Sequence, residues 1–339
     1  MEDKIKTIAV IGSNSFTGSH LIEYFLKKTN YKVIGISRSK EYNPLFLSYL
    51  YKKVSRPKNF VFHRLDLNKE KDFEELIRLF DKEKPSLIFN YAAQGEVRNS
   101  WKYPEQWFKT NCLAVVKLAN QLKDRDYIER YIAISTPEVY GSSNKKIKEN
   151  NCYNPSTPYA ASKLSGDLFL KTLYKRYNFP VIFIRSANVY GLHQQLYRII
   201  PRSVIHLKLG EKIYLHGKGI TKRSFIHVRD VVRITSELAL KGKIGNSYNI
   251  SKEKSLMSIL ELVKKICISL KKDFSKFVEL VDEDFGQDNS YYLDSSKSFN
   301  LLKDAPKISL EEGIKETINW IEDNWEEIKK QKLDYIYKE

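Results

Sequence analysis

The sequence predicts an α/β protein made of a doubly wound parallel sheet and a smaller, interleaved α/β lobe. Three observations predict this fold class. Short apolar runs alternate with longer amphipathic segments throughout the first half of the chain, which requires crossover connections and therefore parallel strands. The short runs are almost wholly apolar, as expected of strands that helices cover on both faces. A glycine-containing turn joins the first run to the first amphipathic segment.

The individual elements follow from hydrophobic periodicity. Candidate strands cover residues 8–11, 32–36, 59–65, 85–91, 130–135 and 181–185, and candidate helices cover 16–28, 72–80, 107–122 and 158–177. After residue 185 the alternation loosens, with predicted strands at 212–215 and 247–250 and predicted helices at 256–270 and 310–328. We interpret this half as a smaller lobe whose chain returns to the main sheet.

Composition restricts the class of protein. Of 339 residues, 42% are hydrophobic, which suffices for a packed core. The formal net charge is +17, but basic residues are interleaved with acidic ones, so we predict no nucleic-acid partner; an anionic small substrate would still benefit from the field. The three cysteines are widely spaced without a CxxC pair, which argues against a disulfide framework or a metal site and favours the cytoplasm. No apolar run approaches the roughly 20 residues that a membrane helix needs.

The turn after the first predicted strand is a candidate phosphate-binding loop. It runs Gly12-Ser-Asn-Ser-Phe-Thr-Gly18, with Ser15 where a further glycine is common. Glycine permits a sharp turn and the close approach of a pyrophosphate, and the following helix offers its free N–H groups. The alternative is an ordinary strand–helix turn. The location between strand and helix favours a Rossmann-type dinucleotide site.

The ends of the next two strands bear on which dinucleotide binds. The second strand ends in Ser37-Arg38-Ser39, where an acid would bond the adenosine ribose of NAD, whereas Arg38 suits the 2′-phosphate of NADP. NADP is therefore favoured over NAD, and a surface position for Arg38 is the alternative. Asp66 follows the third strand and either contacts the adenine amino group or caps the next helix.

Tyr159 and Lys163 are the candidate catalytic pair. At i and i+4 they share one helix face, and Pro158 marks the helix start. A cation near the phenol lowers its pKa, so that a tyrosinate could take a hydroxyl proton while hydride leaves the same carbon. The same spacing recurs in four other Tyr/Lys pairs, so position in the fold has to decide.

The strand before Tyr159 ends in the polar segment Ser135-Thr136-Pro137-Glu138, which sets this pair apart from the others. Ligands of α/β sheets bind at the carboxyl ends of strands, and a Ser135 or Thr136 hydroxyl there could hydrogen-bond the reacting oxygen. Pro137 favours an extended backbone at Thr136, as expected at a strand end.

Together these motifs resemble the extended short-chain dehydrogenase/reductase family over most of the chain. Tyr91-Ala-Ala-Gln94 is similar to its cofactor-contacting loop, and Asn111 stands where the family has a structural asparagine. Arg185-Ser-Ala-Asn-Val-Tyr-Gly191 resembles the segment that joins cofactor to substrate, and Arg223-Ser-Phe-Ile-His-Val228 the segment at the nucleotide phosphates.

The resemblance implies a division of the chain and a set of site residues. Residues 1–185 would form the dinucleotide-binding Rossmann domain, with returning segments near 224–250; residues 186–223 and 251–330 the substrate-binding lobe; and 331–339 a C-terminal tail. The implied cofactor-binding residues are Gly12, Asn14, Ser15, Phe16, Thr17, Gly18, Arg38, Asp66, Leu67, Ala92, Ala93, Gln94, Asn111, Ser135, Tyr159, Lys163 and Arg185. The implied substrate-binding residues are Glu96, Thr136, Pro137, Glu138, Asn188, Arg198, Arg202 and Arg223, and the implied catalytic residues are Thr136, Glu138, Tyr159 and Lys163.

Within the family, Ser135-Thr-Pro-Glu-Val-Tyr-Gly141 is similar to nucleotide-sugar 4,6-dehydratases that act on dTDP-glucose or GDP-mannose, and the loop at 93–100 and Arg38 favour the GDP-mannose branch. Oxidation at C4 by the bound and recycled NAD(P) would acidify the C5 hydrogen, which Glu138 could remove. Water would leave from C6 and the hydride would return there, giving a 4-keto-6-deoxy sugar nucleotide. For Glu138 the alternative is a helix-capping or ion-paired acid.

Two positions depart from the family pattern. Pro137 stands where these dehydratases carry Asp or Ser, so the proton for the leaving group has to come from Glu138, a water or another group. Asp284-Phe285 stands where an Arg-Pro pair usually grips a phosphate before the segment 286–294, and Arg198 or Arg202 could take over that contact.

The resemblance leaves other functions and several partners to weigh. A nucleotide-sugar 4-epimerase or UDP-glucuronate decarboxylase is the enzymatic alternative. A cofactor-binding scaffold or sensor is the non-enzymatic one, against which Thr136, Tyr159 and Lys163 together argue. The predicted partners are a nucleotide-diphosphate sugar and a second copy of the chain, as a homodimer or dimer of dimers. The helices at 107–122 and 158–177 carry apolar residues on more than one face, which favours pairing, with burial inside one chain as the alternative.

Overall fold

The computed structural model describes residues 6–143, 145–150, 152–282, 290–335 and 337. The strands in this part of the chain are β1 (Thr7–Ile11), β2 (Lys32–Ser37), β3 (Phe60–Arg64), β4 (Leu87–Asn90), β5 (Arg130–Ile134), β6 (Lys146–Ile147), β7 (Val181–Ser186), β8 (Asn188–Tyr190), β9 (Ile213–His216), β10 (Lys222–His227), β11 (Ser247–Ile250), β12 (Leu256–Ser258), β13 (Val278–Val281) and β14 (Tyr292–Leu293). The α-helices are α1 (Phe16–Lys28), α2 (Glu70–Glu83), α3 (Val97–Lys102), α4 (Pro104–Phe108), α5 (Ala114–Leu122), α6 (Pro158–Tyr177), α7 (Ile199–Leu209), α8 (Val228–Lys241), α9 (Ile259–Ser269), α10 (Phe274–Phe277), α11 (Ser296–Leu302), α12 (Leu310–Asp323) and α13 (Trp325–Ile328).

The main sheet has seven strands in the order β3-β2-β1-β4-β5-β7-β11. Every neighbouring pair is parallel, which confirms the predicted doubly wound α/β fold. The strand order reverses between β1 and β4, whose carboxyl ends are aligned, because Ile11 pairs with Asn90. Sheets of this kind bind ligands in the crevice at such a reversal.

Both faces of the central strands are buried, which explains why these strands are apolar, whereas only Phe60 of the edge strand β3 is buried. In β1, Ile8 and Val10 belong to the hydrophobic cluster that includes residues of α1 and α8. The intervening residues, Ala9 and Ile11, belong to the cluster on the other face, with residues of α2, α5 and α6. Successive side chains of a strand point to opposite faces, so each face receives its own apolar set.

The second lobe is built around a third hydrophobic cluster that includes residues of α7, α9 and α12. A three-stranded sheet of β8, β10 and β12 and a two-stranded pair of β9 and β13 belong to this half of the chain. The chain also returns to the main sheet, since β11 pairs with β7 as its outermost strand. The division of the chain into domains stays a prediction.

Three predicted helices differ in detail from the structure. Residues 256–258 form β12, and the helix starts only after Ser258, whose side chain and Glu261 form a capping box. The segment at 310–328 is interrupted at Asn324 between α12 and α13. The helical stretch from α4 to α5 contains a π-helical segment, Lys109–Leu113, for which simple periodicity gives no signal.

The structure also describes the three cysteines and the apolar character of the helices. Cys112, Cys152 and Cys267 are free thiols. Among the described residues, no helix combines the length and the apolar character needed to cross a bilayer.

Candidate active site

A cleft of about 1830 Å³ lies at the carboxyl ends of the central strands of the main sheet, and side chains of the second lobe form its opposite wall. The predicted site residues that line it are Gly12, Asn14, Ser15, Phe16, Thr17, Arg38, Asp66, Leu67, Ala92, Ala93, Gln94, Glu96, Ser135, Thr136, Pro137, Glu138, Tyr159, Lys163, Asn188, Arg198 and Arg202. Gly18, Asn111, Arg185 and Arg223 are not among its lining residues. The structure therefore brings most of the predicted set together in one place.

The glycine turn has the geometry that its residues predict. Gly12 has a φ of +85°, and a Cβ there would lie 2.7 Å from the backbone nitrogen of Ala92. A Cβ on Gly18 would lie 2.6 Å from the carbonyl oxygen of Gly12. Ser15 is the N-cap of α1, since its Oγ accepts a hydrogen bond from the N–H of Gly18 at 3.1 Å. A glycine at position 15 would lose this cap, which explains the departure from the three-glycine pattern.

The residues around this turn fit a bound dinucleotide. The first N–H groups of α1, at Phe16 and Thr17, have no partner one turn earlier in the helix, and both residues line the cleft. The amide of Asn14 donates to the carbonyl of Lys40 at 2.8 Å, which ties the turn to the loop after β2. Its Oδ1 is buried without a hydrogen-bond partner among the described residues. A buried acceptor of this kind fits a polar ligand.

The strand ends beside the turn carry the two residues that bear on dinucleotide choice. Arg38 lines the cleft together with Ser37 and Ser39. Asp66 lines it after β3, and its Oδ1 accepts from the N–H of Asn68 at 3.0 Å. Because α2 begins at Glu70 with Lys69 as its N-cap, the alternative interpretation of Asp66 as the helix cap is wrong.

Tyr159 and Lys163 are positioned by the first turn of α6. Thr157 caps this helix by accepting from the N–H of Ala160 at 3.1 Å, and Pro158 is its first residue. The Lys163 ammonium donates to the carbonyl of Ile134 at 2.7 Å, which fixes the catalytic face of the helix to the end of β5. The Thr136 hydroxyl lies close enough to the Tyr159 phenol to lower its pKa, and Thr136, Tyr159 and Lys163 all line the cleft at this strand end.

The electrostatics of the pair differ from the sequence-based expectation. Burial raises the pKa of Tyr159, and the nearby charge of Glu138 raises it further, whereas the Thr136 hydrogen bond and Arg198 lower it. Burial lowers the pKa of Lys163. The expected net lowering of the phenol pKa is therefore wrong for the chain without a bound cofactor, because desolvation dominates. An oxidised nicotinamide, when bound, would supply a further positive charge that favours the tyrosinate.

Glu138 lies in a short 3₁₀ turn, Pro137–Tyr140, at the floor of the cleft. The cap of this turn is Thr136, whose Oγ1 accepts from the N–H of Glu138 at 3.3 Å. The helix-cap alternative for Glu138 is therefore wrong. Pro137 is the first residue of the turn and is buried, so it fixes the backbone that carries Glu138.

Arg185 lies behind the end of β5 and α6 and does not line the cleft, which corrects its prediction as a residue that contacts the cofactor. It is fully buried, and its Nη2 lies 3.1 Å from Oδ2 of Asp167. Its Nη1 donates to the hydroxyl of Tyr140 at 2.6 Å. Asp167 also accepts from the Ser135 hydroxyl at 2.5 Å. The ion pair thus joins β7, α6 and the end of β5 into one unit.

Three further predicted residues support the site from outside the cleft. Asn111 is buried and bonds both the N–H of Gln94, at 2.9 Å, and the hydroxyl of Ser162, at 3.0 Å, which holds the loop after β4 against α6. Gly18 allows the close approach within the turn that is described above. Arg223 is buried, with its guanidinium 4.5 Å from the ring centroid of Tyr291, which lines the cleft.

Two groups of residues at this site were not predicted from the sequence. Asp167 continues the row of Tyr159 and Lys163 by one more turn of α6, and this i+8 position was available as a signal. Residues after the last helix also line the cleft, in the stretch from Lys330 to Tyr335. Asp284 lies outside the described residues, so the missing Arg-Pro pair has no structural account.

Comparison with known proteins places the chain in a family. The family model described as GDP-mannose 4,6 dehydratase matches residues 10–317. The dTDP-D-glucose 4,6-dehydratase of Bos taurus is 31% identical over 94% of this chain and 90% of its own length. The dTDP-glucose 4,6-dehydratase of Haemophilus influenzae is 28% identical over 92% of this chain and 97% of its own.

Solved structures agree with these relatives. The dTDP-glucose 4,6-dehydratase of Bacillus anthracis in complex with NAD is 29% identical, covers 95% of this chain and 98% of its own, and has a TM-score of 0.84. The UDP-glucuronic acid 4-epimerase of Bacillus cereus, in complex with UDP-glucuronic acid and NAD, is 25% identical over 94% and 99%, with a TM-score of 0.83.

These matches confirm the predicted resemblance, the fold and the assignment to enzymes that use a nicotinamide dinucleotide. They also confirm the nucleotide-sugar 4,6-dehydratase class that the Thr136–Glu138 segment predicts. The roles of individual site residues stay predictions. With a glycine turn, a Tyr/Lys pair and a strand-end glutamate gathered in one cleft, and with a family match over most of its length, the chain belongs to the GDP-mannose 4,6 dehydratase family.

Proposed function

We propose that this chain converts a nucleoside-diphosphate hexose, with dTDP-glucose as the first candidate, into its 4-keto-6-deoxy derivative. The observation that carries the proposal is the juxtaposition of two proton-handling groups in one cleft. Glu138 and Tyr159 both line the cleft at the end of β5, and the nearby charge of Glu138 raises the pKa of the phenol. Proton transfer at two adjacent carbons of one sugar needs two such groups side by side.

At C4, Tyr159 receives the hydroxyl proton, and the Thr136 hydroxyl holds the reacting oxygen. Lys163, anchored to the carbonyl of Ile134 at 2.7 Å, keeps α6 and its tyrosine in register with the end of β5. When bound, the nicotinamide ring supplies the hydride acceptor at C4 and the hydride donor at C6. The resulting C4 ketone acidifies the hydrogen at C5.

At C5, Glu138 removes this proton and passes it to the C6 hydroxyl, which leaves as water. This second role follows from Pro137, which has no proton to give, so Glu138 is the residue of this strand-end segment that can protonate the leaving group. When hydride returns to C6, Glu138 delivers a proton taken up from solvent to C5, and Tyr159 releases to solvent the proton that it took from the C4 hydroxyl. The substrate therefore loses one water, with no net consumption of hydride or protons.

Isotope labelling tests this proposal most directly. The purified protein is incubated with dTDP-glucose that carries deuterium at C4, and the product is analysed by mass spectrometry and NMR. We expect a product lighter by one water, with the label moved to C6 and, in D₂O, a solvent deuteron at C5. A product of unchanged mass with the label still at C4 would identify an epimerase and overturn the dehydratase proposal.

The nucleotide is tested with the same assay. UDP-glucose and GDP-mannose are compared with dTDP-glucose at equal concentration. The relatives named as dTDP-glucose dehydratases support the thymidine nucleotide, whereas Arg38 and the loop at 93–100 favour the guanosine nucleotide. A turnover preference for GDP-mannose would overturn the choice of dTDP-glucose and leave the reaction type in place.

The Glu138→Gln variant separates the two half-reactions. We expect hydride to leave C4 in this variant, so that reduced dinucleotide accumulates at its absorption band near the wild-type rate. Elimination of water should fall by roughly two to four orders of magnitude, the usual contribution of a general base. Full dehydration by this variant would contradict the role of Glu138.

The second part of the proposal is that the chain binds NADP in preference to NAD, because of Arg38. Arg38 lines the cleft between two serines, and the next acid along the chain, Glu41, accepts from the Tyr49 hydroxyl at 2.9 Å and pairs with Arg56. The similar structures named above hold NAD. Chromatography of the nucleotide released on denaturation decides the matter. We expect NADP, and NAD alone would overturn this preference.

Pairing of two chains is the third part. Trp107 and Val115 are buried within the chain. Phe108 on α4, Leu113 in the π segment and Leu168 on α6 expose 36%, 61% and 44% of their surface, respectively. Light scattering coupled to gel filtration should give a dimer or a dimer of dimers. Leu168→Glu should shift it toward the monomer, and an unchanged mass would contradict this interface.

A further inference from the structure

After α13 the chain turns back across the mouth of the cleft. Leu333 packs against the hydrophobic cluster of the second lobe, and five neighbouring residues line the cleft: Lys330, Gln331, Lys332, Asp334 and Tyr335. We call residues 330–335 the strap. A segment that is packed on one side and lines a ligand cleft on the other is placed to cover what the cleft holds.

The strap begins beside the loop that follows β2. The Asn43 side chain in this loop donates to the carboxylate of Glu327 at 2.9 Å, and the Tyr51 hydroxyl bonds Asn324 at 3.1 Å. These contacts hold the end of the last helices against the side of the sheet where Arg38 lies. The start of the strap is therefore fixed on one side of the strand-order reversal.

Tyr337, just beyond the strap, is anchored on the other side of that reversal. The ring of Tyr337 is stacked 4.8 Å from the ring of Tyr103, at an interplanar angle of 14°, and 6.1 Å from Trp107, at 2°. Its hydroxyl also donates to Gln106. These residues belong to α4 and the residue before it, which follow β4 in the chain. In sheets of this kind a dinucleotide binds across the strand-order reversal. A dinucleotide bound in this way would therefore lie beneath the strap.

Tyr335 lies between these two anchors and lines the cleft. Its ring meets that of Tyr197 edge to face at 5.1 Å. Burial raises its pKa to about 12, and Glu96 contributes, whereas Arg38 and Arg198 oppose the shift. Tyr335 thus lies within electrostatic reach of the end of β2, the loop after β4 and the start of α7.

The aromatic contacts, more than the charges, hold the strap in place. Asp334 lies 3.4 Å from Arg202, but its side chain is 85% exposed, and exposed ion pairs contribute little. Stacked and edge-to-face aromatic pairs contribute more, and Tyr337 makes two of them. Removing the ring of Tyr337 should therefore release the strap without touching a residue that lines the cleft.

We propose that the strap closes the cleft over the bound dinucleotide and retains it between turnovers, with Tyr335 as the covering side chain and Tyr337 as the latch. This inference rests on the proposed function, in which one dinucleotide takes and returns the same hydride. A cofactor recycled in place gains from a cover that slows its release and excludes water during the reaction.

Dinucleotide retention is measured independently of activity. The protein is loaded with radiolabelled dinucleotide, an excess of unlabelled dinucleotide is added, and the rate of label loss is followed by rapid filtration. We expect Tyr337→Ala and Tyr335→Ala to release label roughly tenfold faster, about the effect of one lost aromatic pair. Tyr337→Phe keeps the stacked ring and should release label at a rate near that of the wild type.

A truncation after residue 329 should have the largest effect, and thermal melting checks that it is folded. Tyr214→Ala, which removes an exposed tyrosine of the second lobe outside the cleft, is the matched control and should not change the rate. Unchanged release from the folded truncation and from Tyr337→Ala would overturn the strap alone. A wild-type chain that binds no dinucleotide would overturn the proposed function and the strap together.

Discussion

The two walls of the cleft are built in different ways. The catalytic wall, at the end of β5 and on α6, is buried: Thr136 is 4% exposed, Lys163 8% and Asp167 4%. The opposite wall, on α7 and the strap, carries exposed charges, since the side chains of Arg202 and Asp334 are 44% and 85% exposed. We therefore expect the sheet to hold the groups that react with the sugar, and surface side chains to contribute to substrate binding. Substitutions in the first wall should change kcat or stability, and those in the second KM.

The largest effect is expected for Tyr159→Phe. This variant keeps the ring but removes the hydroxyl that exchanges a proton with the sugar, so kcat should fall by roughly three orders of magnitude. Initial rates with the best nucleotide sugar measure it. Tyr177→Phe, at the exposed end of the same helix, is the control and should retain full activity. More than a tenth of the wild-type rate in Tyr159→Phe would contradict the assignment of the base.

The buried ion pair behind the catalytic wall should give the next largest effect. Arg185→Met leaves the carboxylate of Asp167 without its cation, and breaking such a pair typically costs about 3–5 kcal/mol. Urea denaturation measures the free energy of unfolding. The double variant Arg185→Met/Asp167→Leu removes both charges and should recover part of the loss. A single variant as stable as the wild type would show that the pair does not hold this wall together.

The free energy of unfolding should depend on pH through His20, which connects α1 to the segment after β8. His20 on α1 bonds the carbonyl of Leu192 at 2.9 Å, and burial lowers its pKa to about 3. The unfolded chain therefore binds more protons below pH 6.5, and stability falls as the pH drops from there toward 3. At pH 5 the contribution of His20 to this loss should be about 2 kcal/mol, and the buried His193 and His227, whose pKa values are also lowered, add to it.

Urea denaturation at pH 7 and pH 5 measures this loss. His20→Gln keeps a hydrogen-bonding side chain without the titrating ring and should show a smaller pH dependence than the wild type. His216→Gln, at an exposed position, is the matched control. An equal pH dependence in all three proteins would show that His20 does not titrate as its burial implies.

The sequence predicted the catalytic wall more fully than the binding wall. The central strands of the main sheet are apolar because both their faces are covered. Thr136 and Glu138 directly follow β5, and Tyr159 lies in the first turn of α6, so local patterns sufficed. Arg185 was assigned to the cofactor because a motif says nothing about which way a side chain points. In the fold it turns inward to Asp167.

The strap could not be predicted for a different reason. Its contacts join residues far apart in the chain, such as Tyr337 with Tyr103 and Asp334 with Arg202. Periodicity carries no information about such pairs, since it reports only which residues share one face of one element. The sequence shows that residues 331–339 contain tyrosines, but it does not show that Tyr337 packs against Tyr103 and Trp107.

The smallest effect is expected for Arg202→Ala, and it separates the two walls most sharply. Arg202 lines the cleft at the start of α7, where a guanidinium can hold a phosphate of the substrate, but its exposure leaves that contact screened by solvent. We expect KM to rise roughly tenfold, about 1.4 kcal/mol, with kcat within about twofold of the wild type. Arg78→Ala, an exposed ion-paired arginine of the other half, is the control and should change neither constant. A fall in kcat at unchanged KM would mean that Arg202 acts on the reacting atoms, and the distinction between a wall for chemistry and a wall for binding would then fail.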